Sequence, residues 1–222
     1  MAKRILLADD HKIMREGLRA LIEKHPQFEI VGEAEDGRTA VRLAEKLMPD
    51  IIIMDVGLPD LNGIEATRRI KAVLPQTRVI GLSMYYDKRF VSGMLEAGAS
   101  GYLSKDCALN ELVTAVETVD KKEIYLGSRV AGPGLTSGDP SKIRRAEFSK
   151  LTDRQREVLQ ALSEGKNTKQ IAYDLKISIK TVETHILNIK EKLDIRSTAA
   201  LTRYAIREGL TFLEPEFPPS HP

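Results

Sequence analysis

The sequence predicts two units in series: an α/β unit built as a doubly wound five-stranded parallel sheet, then an all-α unit containing a helix-turn-helix. Three observations carry this expectation. β-rich runs alternate with helical patterns through residues 4–119, residues 151–213 hold four helical patterns and no convincing strand, and a Gly-, Pro- and Ser-rich stretch lies between. A length of 222 residues suits two small domains.

The predicted strands are residues 4–8, 28–34, 51–55, 78–83 and 101–104. Between the first two, Met14, Leu18, Leu21 and Ile22 recur at helical spacing and leave Arg15, Glu16, Arg19 and Glu23 outside. Amphipathic segments follow at 38–47, 64–74, 88–97 and 109–119, and such regular alternation gives a parallel sheet covered by helices on both faces. The uninterrupted apolar run 51–54 suits a central strand buried on both sides.

Open sheets of this kind gather function at the carboxyl ends of the strands, beside the point where the strand order reverses. In a 2-1-3-4-5 order, Asp9 and Asp10 end the first strand next to Asp55, which ends the third. Three clustered carboxylates repel one another unless they share a cation, and oxygen donors suit Mg²⁺. Ser83 ends the fourth strand and Lys105 follows the fifth, which adds a hydroxyl and an ammonium. Any one of these residues alone reads as a turn, a cap or a surface charge. Independent caps, however, have no reason to fall on four of five strand ends with this charge complement, so the set reads as a phosphoryl-accepting pocket with Asp55 as nucleophile.

The stretches ILLADDH (5–11), PDIIIMDVGLPDLNGIEATRRI (49–70), VIGLSM (79–84) and AGASGYLSKD (97–106) give a specific likeness. Residues 1 to about 122 resemble the flavodoxin-like receiver domain of two-component response regulators. The resemblance implies that Asp55 accepts phosphate from a histidine kinase. It also implies that Asp10, Asp55 and the carbonyl of Gly57 bind Mg²⁺, with Asp9 acting mainly through water. Ser83 and Lys105 would contact the phosphoryl group, and Tyr102 would be the aromatic switch. Two departures stand out. Asp106 takes the place of the Pro that follows the Lys in many receivers, so a cis bond there would cost about 2.5–4 kcal/mol. Bulky Tyr85 and Tyr86 follow Ser83, and Tyr85 is expected to shield an acyl phosphate from water.

Composition excludes other classes. A hydrophobic fraction of 42% supports a packed core, and no apolar run approaches the roughly 18 residues of a membrane span. No secretory leader is visible, and the single cysteine, Cys107, cannot form an internal disulfide, so a cytoplasmic protein is expected. The formal net charge of +2 conceals an asymmetry. Up to Tyr125 there are 18 basic and 20 acidic residues, whereas residues 126–213 carry 16 basic and 10 acidic, so only the second half has the charge of a nucleic-acid partner.

In that second half, Thr152 with Gln155 forms a capping box, Gly165 can end the first helix, and Thr168 and Ser178 are expected to cap the next two. Two helices joined by the short turn 176–177 predict a helix-turn-helix, whose second member enters the DNA major groove. With Val182 at zero and about 100° per residue, Ile186, Ile189 and Leu193 fall within roughly 40°, which marks the core side. Opposite lie Lys180, Thr184, Leu187, Asn188 and Glu191, with Glu183 on the flank. Lys180, Thr181, Glu183, Thr184, Leu187 and Asn188 are candidate groove contacts, and Lys169, Lys190 and Lys192 candidate phosphate contacts. The stretches at 151–193 and 203–210 (RYAIREGL) are similar to the NarL/LuxR-type DNA-binding domain.

The combined reading is a NarL/FixJ-type transcriptional response regulator: receiver 1–125, flexible linker 126–148, DNA-binding domain 149–213 and disordered tail 214–222. The resemblance implies a sensor kinase, promoter DNA, a homodimer in the phosphorylated or DNA-bound state, and RNA polymerase as partners. Two alternatives stay open. One is a phosphorylation-independent DNA-binding regulator that uses its receiver for dimerisation. The other is a Mg²⁺-dependent aspartyl phosphohydrolase, although such enzymes need an acid two residues after the nucleophile, where Gly57 stands.

Overall fold

The computed structural model describes residues 2–84, 88–130 and 151–211, without the side chains of Lys88 and Cys107. Tyr85, Tyr86, most of the expected linker and the expected tail lie outside the described residues. The described chain forms two compact units, the first through Val130 and the second from Leu151. No helix among the described residues is long and apolar enough to cross a membrane.

The first unit alternates β1 (Lys3–Ala8), α1 (Lys12–Ile22), β2 (Phe28–Ala34), α2 (Gly37–Leu47), β3 (Ile51–Asp55), α3 (Gly63–Val73), β4 (Arg78–Ser83), α4 (Lys88–Glu96), β5 (Gly101–Ser104), α5 (Lys105–Asp120) and β6 (Tyr125–Leu126). The strands are all parallel in the order β2-β1-β3-β4-β5-β6, so the reversal falls between β1 and β3 as expected. β3 is buried along its whole length, which explains why its sequence is apolar without alternation. One face of the sheet packs Ile5, Leu7, Ile51, Ile53, Ile80 and Leu82 against apolar residues of α1 and α5.

Three features differ from the sequence reading. α5 starts at Lys105, directly after β5, because Ser104 caps it by accepting from the Asp106 N–H at 3.3 Å. β6 is too short to show a period. It extends the sheet and is followed by residues bound to the same unit: Gly127 N–H donates to Tyr102 O at 2.9 Å, Ser128 N–H donates to Glu111 Oε2 at 3.1 Å, and Val130 is buried. Leu126 to Val130 therefore belong structurally to the first unit. Arg15, expected outside α1, is buried.

The second unit consists of α6 (Asp153–Ser163), α7 (Thr168–Leu175), α8 (Ile179–Leu193) and α9 (Thr198–Arg207). The Thr152–Gln155 capping box has both of its bonds, Gln155 N–H to Thr152 Oγ1 at 3.3 Å and Thr152 N–H to Gln155 Oε1 at 3.0 Å. Gly165, at φ +85°, follows the end of α6 in the left-handed region where glycine carries no steric cost. Asn167, rather than Thr168, caps α7, its side chain accepting from the N–H groups of Lys169 and Gln170. Val158, Leu159, Ile171, Val182, Ile189 and Leu201 form the centre of this unit's core.

Candidate functional site

The carboxyl ends of β1, β3 and β5 converge on an acidic pocket. Asp9 follows β1, Asp55 ends β3 and Lys105 opens α5, with relative exposures of 1%, 4% and 6%. Lys105 Nζ lies 2.7 Å from Asp55 Oδ2 and 2.8 Å from Asp9 Oδ2, so one ammonium spans both buried carboxylates. Asp10 is at the solvent side of the same cluster. Ligand atoms of Asp9, Asp10, His11 and Asp55 all lie within 4.8 Å of one another.

The loop after β3 is shaped for this arrangement. Gly57 N–H donates to Asp55 Oδ1 at 3.0 Å and orients the carboxylate. Leu58 and Leu61 are buried and anchor the loop, and Asn62 caps α3 by accepting from the Glu65 N–H at 2.9 Å. Gly63 presses on the backbone of Asp55 so closely that a Cβ would stand 2.1 Å from the Asp55 carbonyl oxygen. Glycine at 63 is thus a condition for holding the start of α3 against the end of β3.

Burial pushes the Asp55 carboxyl up to about 6. Lys105 opposes that rise, Asp9 adds to it, and the Gly57 N–H opposes it. The adjacent Lys105 ammonium favours the ionised form, which is the form that can act as a nucleophile. Burial pulls Lys105 down, but Asp55 and Asp9 outweigh it and hold the ammonium above its ordinary value. The donors fit a hard divalent cation. Asp9 Oδ2 is buried with the Lys105 ammonium 2.8 Å away, and the cluster offers carboxylate oxygens from three residues.

Ser83 is buried at the end of β4, paired in register with Ser104. Tyr102 is fully buried in β5, its ring lying over Gly81, where an added Cβ would come within 3.3 Å of Tyr102 Cδ2. No described peptide bond is cis, that of Lys105 to Asp106 included.

One residue of this region escaped the sequence reading. Arg15 Nη1 donates to the Asp9 carbonyl at 2.6 Å, its Nε donates to Glu33 Oε2 at 3.3 Å, and its other terminal nitrogen pairs with Glu35. Helical periodicity assigns a charged residue to the solvent face, and nothing in the pattern announces a buried cation below the pocket.

In the second unit, α7 and α8 form the expected helix-turn-helix, with Lys176 at φ 53° in the turn and Ser178 capping α8 by accepting from the Thr181 N–H at 3.0 Å. Val182 and Ile189 are buried, while Lys180, Thr181, Glu183, Thr184 and Leu187 are exposed and Asn188 and Lys190 half-buried. An exposed Leu187, at 57%, on an otherwise polar strip is a candidate for an apolar base contact. Thr184 Oγ1 donates to the Lys180 carbonyl at 2.9 Å, and the Thr181 hydroxyl is engaged with Ser178 Oγ at 2.8 Å. Lys169 is exposed in the first turn of α7. Lys192 departs from the set: its ammonium donates to Gln155 Oε1 at 2.9 Å, on the side of α6.

Comparison with known proteins adds independent findings. Residues 5–117 match the response regulator receiver domain family, and residues 149–205 match the bacterial regulatory proteins of the luxR family. The transcriptional regulatory protein LiaR of Bacillus subtilis is 41% identical over 207 residues, covering 93% of this chain and 98% of that protein. The response regulator UvrY of Escherichia coli is 32% identical over 207 residues, covering 93% and 94%. A solved structure of two RcsB dimers bound to two parallel DNAs has 26% identity and a TM-score of 0.58, covering 94% of this chain and 99% of that one.

Proposed function

The chain belongs to the two-component response regulators with a LuxR-type DNA-binding domain, and from that premise we propose that it is switched by phosphorylation of Asp55 by a sensor histidine kinase. The observation that carries this reading is the single buried ammonium of Lys105 lying between Asp55 and Asp9, with Asp10 alongside. Carboxylates so placed supply a nucleophile and cation ligands, and the ammonium supplies the charge that receives a phosphoryl group.

Asp55 Oδ attacks phosphorus of a phosphohistidine, the P–N bond breaks, and the departing imidazole takes up a proton from water. Lys105 pairs with the incoming phosphoryl oxygens, and Ser83 supplies a hydroxyl to one of them. Asp10, Asp55 and Gly57, with Asp9 acting mainly through water, would hold Mg²⁺, which neutralises phosphoryl charge when bound. Tyr102, fully buried in β5 beside Gly81 of β4, would be the aromatic switch. The protein works in the cytoplasm and is not an enzyme acting on an external substrate, since Gly57 stands where an aspartyl phosphohydrolase needs an acid.

The output is DNA binding through α8. Lys180, Glu183, Thr184, Leu187 and Asn188 face the major groove, Thr181 supports the start of the helix, and Lys169 and Lys190 meet phosphates. Lys192 contributes only after leaving Gln155. Two copies of the chain bind adjacent half-sites, a reading supported by the solved structure of two RcsB dimers bound to two parallel DNAs, and RNA polymerase is the further partner of the bound dimer. The residues between Val130 and Leu151 tether the two units.

A DNA-binding titration at stated salt, with and without a small phosphodonor and Mg²⁺, tests the switch. Affinity and dimerisation are expected to rise with phosphodonor, and Asp55→Asn to abolish the rise. Equal affinity in all conditions sinks the switch and favours a phosphorylation-independent regulator.

A further inference from the structure

At the pole of the sheet opposite the acidic pocket, the amino ends of β1, β3 and β4 and the carboxyl ends of α2, α3 and α5 border a cleft of about 420 Å³. That volume suits a small organic molecule. The acids of the cleft are already engaged: Asp120 pairs with Lys3 at 2.7 Å, and Asp50 Oδ2 accepts the main-chain N–H of Arg4 at 2.9 Å. Its other cations are not. Neither Arg78, half-buried at the start of β4, nor Lys122, exposed after α5, has a carboxylate partner among the described residues.

A further cation stands beside Arg78. Lys71, in the last turn of α3, donates to the carbonyls of Pro75 at 2.6 Å and Thr77 at 2.9 Å. Burial, and then the charge of Arg78, pull its ammonium below the ordinary lysine value, and no acid opposes them. Positive charge is thus crowded at this edge of the cleft without a counter-charge, a field that draws an anion. The rim is apolar, with Met48 and Val73 lining the cleft at 64% and 55% exposure. Met48, at φ 46°, and Lys122, at φ 68°, also stand in the left-handed region that glycine enters without steric cost. Where the backbone favours glycine, a thioether and an ammonium are kept, and both border this cleft.

We propose that this cleft binds a small amphiphilic anion, a carboxylate, sulfonate or phosphate head on an apolar body, with the head paired to Arg78 and drawn by Lys122 and the body laid on Met48 and Val73. The planar guanidinium of Arg78 holds such a head through two parallel N–H bonds to its oxygens. The site is separate from the phosphoryl pocket, whose three carboxylates repel the same ligand, and it does not depend on the reading of that pocket.

The test titrates the full chain with anilinonaphthalene sulfonate, an apolar body carrying one sulfonate, and with phenylnaphthylamine, the same body without charge. Binding is read by fluorescence and located by main-chain amide shifts. The sulfonate is expected to move the amides of Met48, Thr77, Arg78 and Lys122 and to bind about tenfold more tightly than the neutral probe, the worth of one charge-assisted hydrogen bond. Arg78→Gln should lower sulfonate affinity by about the same factor and leave the neutral probe unaffected. Lys122→Gln, at an exposed position that folding does not need, should lower it about threefold and keeps the test decisive if Arg78→Gln lowers the melting temperature. Shifts confined to other residues, such as those of the basic groove helix α8, overturn the proposal. So do equal affinities for the two probes, or a sulfonate affinity unchanged in both variants.

Discussion

The guanidinium of Arg15 donates to the main-chain carbonyl of Asp9 at 2.6 Å from a position 5% exposed, so a cation inside α1 holds the peptide that joins Asp9 to Asp10. Arg15→Met keeps the length and apolar stem but removes this donor and both glutamate pairs. A loss of about 1–3 kcal/mol is expected, with the denaturant slope unchanged. Urea unfolding measures it, and a loss below about 0.5 kcal/mol would make Arg15 an ordinary surface residue.

Gly63→Ala tests the close approach of α3 to the acceptor loop. A Cβ 2.1 Å from the Asp55 carbonyl oxygen must displace backbone, which costs about 1–3 kcal/mol in a packed setting. Phosphorylation by a small phosphodonor is expected to slow in the same variant, because the nucleophile shifts with its backbone. An unchanged rate together with an unchanged melting temperature refutes the contact.

Glu111 gives a pH signature far from the pocket. Hydrogen bonds from Ser128, and then from Tyr125, hold its carboxyl below the usual glutamate range, against an opposing effect of burial. A carboxyl lowered on folding adds stability that is present above the unfolded value and lost as pH falls through the folded one. Glu111→Gln should therefore destabilise at pH 7, with the deficit shrinking as pH drops below about 4.5. A deficit constant from pH 7 to pH 3 excludes the charge as its source.

For the groove helix, Lys180→Ala is expected to weaken DNA binding and lower the slope of log affinity against log salt by about 1. Leu187→Ala should leave that slope unaltered and change the preference among sites instead. Titrations at several salt concentrations on two DNA sequences separate the effects, and identical slopes for Lys180→Ala and the unsubstituted chain remove Lys180 from the interface.

The sheet was legible because each interior strand is a contiguous apolar run ended by a polar residue, as in the stretch from Ile51 to Asp55. The pocket was legible because its acids sit at those ends. What periodicity could not show depends on contacts between distant segments. β6 needs the edge of β5 to exist, and Arg15 is buried only because the Asp9 carbonyl and two glutamates from β2 and beyond surround it. The early start of α5 had a local signal in Ser104, but Lys105 and Asp106 lack the apolar spacing by which a helix is usually located. Lys192 shows the converse limit, since its angle on α8 does not reveal that Gln155 of α6 lies within reach.

Starting α5 at Lys105 has a mechanical consequence. The helix runs 16 residues without a break, about 24 Å at 1.5 Å per residue, from the pocket to Asp120, whose carboxylate meets Lys3 at the opposite pole at 2.7 Å. With no hinge between the ammonium and the rod, Lys105 cannot advance or retreat by main-chain motion without moving the whole strut. Any main-chain shift at Lys105 is thus shared along α5 as far as the Lys3–Asp120 pair.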